Sequence, residues 1–177
     1  GILGDDLTVL ETGLHALSQQ VDIIITTGGA SVGDHDLVHT ALQNIGAQMD
    51  FWKVAMRPGK PLMAGKIGNA LVLGLPGNPS SAFVTAFLFL LPLIRHMAGS
   101  PSPLPVLFEA AAACDLPAGG DRAEYMRASA EGGHITPLMA QDSGLTRTLS
   151  QAKALLIQPP NVPPRSKGTM VQYMRLA

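Results

Sequence analysis

Leu7, Leu10, Leu14 and Leu17 recur at steps of three and four, which places them on one face of an amphipathic helix ending near Gln20. Asp5 and Asp6 stand directly before it, and either carboxylate suits an N-cap. The pattern then changes. Val21 to Ile25 is apolar and β-branched apart from Asp22 and is too short for a helix, so it predicts a strand buried on both faces in the middle of a sheet. Helical spacing returns with Leu37, Val38, Ala41, Leu42 and Ile45 and stops at Gly46. Gln48 to Met56 reads as a further strand given bulk by Phe51 and Trp52. Pro61 to Ile67 and Ala70 to Leu75 flank Gly68-Asn69 as a hairpin, which makes the sheet mixed. The thirteen apolar residues Ala82 to Ile94 contain Pro92 and fall short of the roughly 20 needed to cross a bilayer, so they predict a buried core helix. The first part of the chain is therefore expected to be a three-layer α/β/α domain.

Gly99 to Pro105, GSPSPLP, can continue neither helix nor strand and marks a boundary, giving expected domains at 1–100 and 101–177. Beyond it come short strand candidates at Val106 to Ala113, Glu124 to Ala130, His134 to Ala140, Ala154 to Gln158 and Thr169 to Met174. Gly119-Gly120, Gly132-Gly133 and the Pro159 to Pro164 loop separate them. That spacing predicts a small all-β domain, a sandwich or partial barrel.

Charge narrows the partners. Twelve basic and thirteen acidic residues give a net charge of −1 with no basic tract, which argues against nucleic acid while leaving small anions open. One cysteine, Cys114, excludes an internal disulfide and a cysteine-based zinc knuckle and suits a reducing cytoplasm. No secretion signal opens the chain and no membrane partner is expected. Gly1 to Gly4 run straight into Asp5-Asp6 as though a preceding strand were missing, so a fragment of a longer protein is expected.

Candidate chemistry gathers in three loops that follow strands. Thr26, Thr27, Gly28, Gly29, Ala30, Ser31, Val32 and Gly33 combine hydroxyl donors with glycines that admit close backbone approach, and they lead into a helix whose start carries Asp34 and Asp36. The same string serves equally as a simple tight turn. It is neither a nucleotide P-loop, since Asp34 follows Gly33 where Lys is required, nor a dinucleotide fingerprint. Lys53 and Arg57-Pro58-Gly59-Lys60 place cations at a second strand end, and Leu75-Pro76-Gly77-Asn78-Pro79-Ser80-Ser81 forms a rigid third loop with Ser80 or Ser81 as a natural cap. Ligands of open α/β sheets bind outside the carboxyl ends of strands, so the three loops together read as one pocket for a phosphorylated or oxyanionic ligand. Arg122 and Arg127 add a possible anion-binding edge in the β domain. His35 and His39 have metal-ligand spacing, but a third histidine is lacking nearby. A hard cation held by Asp36 and a substrate phosphate fits the residue types better than zinc.

Thr27-Gly28-Gly29-Ala30-Ser31-Val32-Gly33-Asp34-His35-Asp36, Trp52-Lys53, Arg57-Pro58-Gly59-Lys60-Pro61 and Gly74-Leu75-Pro76-Gly77-Asn78-Pro79-Ser80-Ser81 follow in that order. Together they closely resemble the molybdopterin molybdenumtransferase family, that of bacterial MoeA and the gephyrin E domain. Residues 1–100 resemble its molybdopterin-binding α/β domain with the first strand missing, and 101–177 its C-terminal β domain, through Arg122-Ala123-Glu124-Tyr125-Met126-Arg127 and Ala154-Leu155-Leu156-Ile157.

The resemblance implies molybdenum cofactor biosynthesis: Mg²⁺-dependent insertion of molybdenum from molybdate into adenylylated molybdopterin, with release of AMP, by a homodimeric cytoplasmic transferase. Carried over by position, Asp5 and Asp36 resemble the acidic residues that support metal and molybdate chemistry. Thr27, Gly28, Gly29 and Ser31 resemble the pterin-phosphate or nucleotide loop. Lys53, Arg57 and Lys60 resemble the basic residues facing anions, with Arg57 where lysine is common. Pro76, Asn78 and Pro79 resemble the rigid turn lining the site. Gln141-Asp142-Ser143-Gly144-Leu145-Thr146 departs from the Ser/His-rich stretch of some relatives. Two rival functions are a molybdopterin adenylyltransferase and a non-catalytic peptide-binding scaffold of the same fold. The 177-residue chain alone is expected to fold but to be inactive.

Overall fold

The computed structural model describes residues 1–28, 37–139, 141 and 146–176. They form two compact units, Gly1–Val54 with Gly59–Thr85, and Ala55–Pro58 with Ala86–Ala177.

In the first unit, Asp6 rather than Asp5 caps α1 (Leu7–Ser18): its carboxylate accepts the Val9 amide at 2.9 Å. Leu10 and Leu14 are buried, while Leu17 in the last turn is 40% exposed. The apolar run after it becomes β1 (Ile23–Thr27), and α2 (Leu37–Asn44) carries the second helical pattern. Gly46 takes φ 84° after α2, and the Ala47 amide reaches back to the Leu42 carbonyl at 2.9 Å, so the helix ends in a left-handed glycine turn.

The stretch expected as one strand from Gln48 to Met56 divides in two. β2 (Gln48–Phe51) stays in the first unit, with a bulge between Met49 and Phe51, whereas β3 (Met56–Arg57) belongs to the second. A turn intervenes, closed by the Val54 amide donating to the Lys60 carbonyl at 3.1 Å. The hairpin forms as expected: β4 (Met63–Ile67) and β5 (Ala70–Leu75) pair antiparallel, with Ile67 opposite Ala70 across Gly68-Asn69.

The mixed sheet has the order β1-β5-β4-β2, with β1 parallel to β5. Among the described residues β1 therefore lies at an edge rather than in the middle. Ile24 is buried against the helices, while Ile25 is 44% exposed. A β-branched run reports that both faces are apolar; it does not report which strands stand beside it. Ala70 and Val72 join Leu10, Leu14, Ala41 and Leu42 in one core, and the alternate residues Leu73 and Leu75 are buried on the opposite face of β5.

α3 (Pro79–Thr85) follows β5 and packs against it. Its cap is Asn78, whose side-chain oxygen accepts the amides of Ser80 at 3.1 Å and Ser81 at 3.3 Å. Neither serine caps; Pro79 occupies the first helical position, where its missing N–H costs nothing. The helical run continues through a π segment, Ala86–Leu90, into α4 (Leu91–Met97). It was expected as a buried core helix, but no residue of the π segment is fully buried, and Phe83, Ile94 and Met97 are each more than 40% exposed. From Pro79 to Met97 this helix is long and apolar enough, by length and composition, to cross a membrane. Apolar composition signals a need for cover and leaves the cover unspecified.

In the second unit the strands are β6 (Leu107–Ala112), β7 (Ala123–Glu131), β8 (His134–Pro137), β9 (Ala154–Gln158) and β10 (Met170–Arg175), with a short α5 (Thr146–Gln151) before β9. The order β3-β7-β8-β6-β10-β9 is closed by pairing of β7 with β9, so five strands form a barrel with β3 laid parallel on the start of β7. Its interior is narrow and filled largely by small residues, Ala110, Ala112, Ala128 and Ala154, around Ile135, Leu156 and Val171.

Candidate functional site

β1 and β5 run parallel, and β4 is antiparallel to both β5 and β2, so the carboxyl ends of β1, β5 and β2 lie at the same end of the sheet as the start of β4. That topology collects the loop after β1, the Pro76 to Pro79 loop after β5, Lys53 after β2 and Lys60 before β4. The first two are in close contact: a Cβ on Gly77 would lie 3.2 Å from the Gly28 Cα. Gly28 itself has φ 83°, a left-handed conformation that glycine adopts without strain. The Val54–Lys60 hydrogen bond brings the backbone of Lys60 beside the residue after Lys53, and both lysines are exposed. With β4 between them, β5 and β2 are separated by roughly 10 Å, two strand spacings, which is within the reach of one phosphorylated ligand.

Polar groups at this end include an orphan. Thr26 Oγ1 is buried with no hydrogen-bond partner, as is Trp52 Nε1. Burying a hydroxyl unpaired is costly, and an arriving ligand oxygen would relieve that cost. Thr27 is exposed at the strand end. Trp52 packs on the core of this unit, stacks on His39 with ring centroids 4.1 Å apart, and lies under the Lys53 ammonium at 5.5 Å.

Gly29, Ser31 and Asp36 lie outside the described residues, as do Asp34 and His35. Asp5 is exposed, and since Asp6 holds the cap, its carboxylate has no capping duty. Among the described residues no group of three or more His, Cys, Asp or Glu side chains is gathered as for a metal ion.

The remaining candidates lie in the second unit. Arg57, opposite Glu124 in the β3–β7 pairing, forms an ion pair with it at 3.6 Å; the guanidinium is largely exposed and the carboxylate mostly covered. Arg122 pairs with its neighbour Asp121 at 3.5 Å. Arg127, read from sequence as part of an anion-binding edge, is only 3% exposed, and its backbone is held by the Gln141 side chain, which accepts its N–H at 3.1 Å and donates to its carbonyl at 2.8 Å. A polar network missed from sequence fixes the barrel's end. Buried Gln158 donates to the Pro117 carbonyl and accepts from Arg165 Nη2, both at 3.0 Å, and burial lowers the Arg165 pKa from its ordinary value. A strand-terminal Gln followed by two prolines gave no local hint of it.

A wide groove of about 400 Å³ between Gln19, Gln20, Asp22, Gly68 and Asn69 lies at the opposite end of the sheet from these loops. Asp22 is its one charged lining residue, so it presents no cation to an anion.

Known proteins resemble this chain over both parts of its length. Residues 1–96 match the family model described as a probable molybdopterin binding domain, and residues 109–176 match the MoeA C-terminal region (domain IV). The chain is 40% identical over 128 residues to the molybdopterin molybdenumtransferase of Haemophilus influenzae, covering 72% of this chain and 31% of that protein. It is 32% identical over 178 residues to that of Bacillus subtilis, covering 98% of this chain and 41% of the other. The chain thus spans less than half the length of these relatives. A MoeA protein from Pyrococcus horikoshii has the same fold over 100% of this chain and 43% of its own, with a TM-score of 0.81 at 22% identity.

Proposed function

The chain belongs to the molybdopterin-binding domain family, carrying a MoeA C-terminal region behind that domain, and we propose that it is the substrate-binding part of a molybdopterin molybdenumtransferase. Its role lies in molybdenum cofactor biosynthesis. The proposed reaction of the whole protein takes molybdate and adenylylated molybdopterin and releases AMP as molybdenum enters the pterin. The observation that carries this reading is the junction of the Gly28 and Gly77 loops at the sheet end that also holds Lys53 and Lys60.

The chemistry assigned to these residues is electrostatic. Lys53 and Lys60 neutralise the phosphate oxygens of the pterin nucleotide and hold its diphosphate against the glycine loops, where the absence of side chains lets backbone amides approach it. Thr26 and Thr27 supply hydroxyls, and Pro76, Asn78 and Pro79 keep their loop rigid, so ordering it costs little on binding. Arg57, Arg122 and Arg127 belong to the second unit, where Arg57 and Arg122 are ion-paired and Arg127 is buried, and they are given no part in this site. Mg²⁺ accepts one or two carboxylates beside substrate phosphates, and Asp5, an exposed carboxylate free of capping, is of the required type, with Asp36 as its companion. When bound, the ion would offset charge developing on the phosphate that leaves with AMP. We further propose that the whole protein is a cytoplasmic homodimer.

The match of residues 109–176 to the MoeA C-terminal region favours this reading over an adenylyltransferase. The test is to incubate the full-length protein with adenylylated molybdopterin, molybdate and Mg²⁺ and to follow AMP. Molybdate-dependent AMP release is expected. ATP consumption with unmodified molybdopterin would identify an adenylyltransferase, and neither activity would leave the scaffold reading.

A further inference from the structure

We propose that Trp52 is a positioning residue: its indole, clamped by His39, is the seat that aims the Lys53 ammonium at the anionic part of the substrate. This rests on the reading of Lys53 given above. Lys53 is exposed in the turn after β2, and a flexible four-carbon side chain there would spread its charge over many directions. The structure instead places Nζ 5.5 Å from the Trp52 ring centroid, within cation–π range. The ring is a firm base. It packs on the core formed by α1, α2 and the sheet, and His39, in the first turn of α2, stacks on it at 4.1 Å with an interplanar angle of 10°.

The choice of indole is informative on energetic grounds. Trp52 Nε1 is buried without a partner, a cost that a phenylalanine or leucine at this place would not carry. What indole offers in return is the strongest cation-binding face of the aromatic side chains. Filling the core needs only an apolar side chain of similar size; holding an ammonium calls for this one. His39 lends the stack a second anchor, joining the start of α2 to the turn after β2.

The experiment is a double-mutant cycle in the full-length protein, with AMP as the titrated ligand and Trp52→Leu, Lys53→Met and both together as variants. Trp52→Phe is added because it keeps a ring and removes the unpaired donor. Trp52→Leu is expected to weaken AMP binding by about two- to fivefold, the range that an exposed cation–π contact supplies. The double variant should bind no more weakly than Lys53→Met alone, since the indole acts through the lysine. Trp52→Phe should retain part of the affinity. Independently, the upfield ring-current shift of isotopically dimethylated Lys53 in NMR should vanish in Trp52→Leu, which a purely structural tryptophan would not cause. Additive losses, or a Lys53 signal indifferent to Trp52, would overturn the proposal. Unchanged affinity in Lys53→Met would overturn it as well, and the response of Lys60→Met would then tell whether the anion-binding reading of the sheet end falls with it.

Discussion

Gly77 stands so close to Gly28 that a Cβ on Gly77 would come within 3.2 Å of the Gly28 Cα. The loops after β5 and β1 are therefore in close contact, and the closeness depends on Gly77 lacking a side chain. Gly77→Ala must push the loops apart by a few tenths of an ångström, at an expected cost of about 1 kcal/mol. Gly28→Ala is expected to cost about 1–2 kcal/mol for a different reason, its positive φ. Urea titration of the full-length protein reads both, as a lower midpoint with unchanged slope.

Asn78 accepts two first-turn amides of α3. Asn78→Ala is expected to destabilise by about 1 kcal/mol, while Asn78→Asp or Asn78→Ser should stay within a few tenths. The same titration decides it, and a larger loss in Ser80→Ala than in Asn78→Ala would return the cap to the serine.

Gly65 and Gly74 test the sheet's packing against each other. A Cβ at Gly65 would meet the Gln48 carbonyl oxygen at 2.5 Å and the Met49 Cα at 2.9 Å, both backbone of β2, whereas a Cβ at Gly74 would collide with the side chain of Met63. Backbone cannot yield as a methionine can. Gly65→Ala is expected to cost about 2 kcal/mol or more and Gly74→Ala about 1 kcal/mol, so thermal unfolding should rank them in that order.

Local chemistry was legible in the chain, and tertiary choice was not. Gly68-Asn69 announced the hairpin because a two-residue turn is fixed by its own residues, and Ala154–Gln158 was bounded by its own flanks. The stretch from Gln48 to Met56 looked like one strand because propensity does not register that its two ends join different sheets. Ser80 and Ser81 resembled caps because Ser is a good cap in general; Pro79 at the first helical position moved the boundary to Asn78. For the site, Gly28, Lys53, Lys60 and the Pro76 to Pro79 loop were named from sequence and fall at one sheet end. The His39–Trp52 stack was not foreseen, since the two lie on different elements with no motif joining them.

Tyr125 in the barrel gives a pH dependence with a definite sign. Burial raises its phenol above the ordinary 10.0, so the folded state holds the proton more tightly than the unfolded chain does. The resulting stability is complete below about pH 10 and is lost as pH rises through the folded value. As pH rises above about 10, the melting temperature of the parent protein is expected to fall more steeply than that of Tyr125→Phe. Parallel curves would contradict the assignment.

The most direct test of the anion-binding role proposed for this sheet end compares three lysines of the same charge in different places. Lys53 and Lys60 flank the strand-end loops, while Lys66 is exposed near the hairpin at the other end of β4. In the full-length protein, Lys53→Met and Lys60→Met should each raise KM for adenylylated molybdopterin in AMP release by about tenfold, as loss of a charge-assisted phosphate contact implies. Lys66→Met should leave KM unchanged. Equal effects at all three positions, or none at Lys53 and Lys60, would contradict the account.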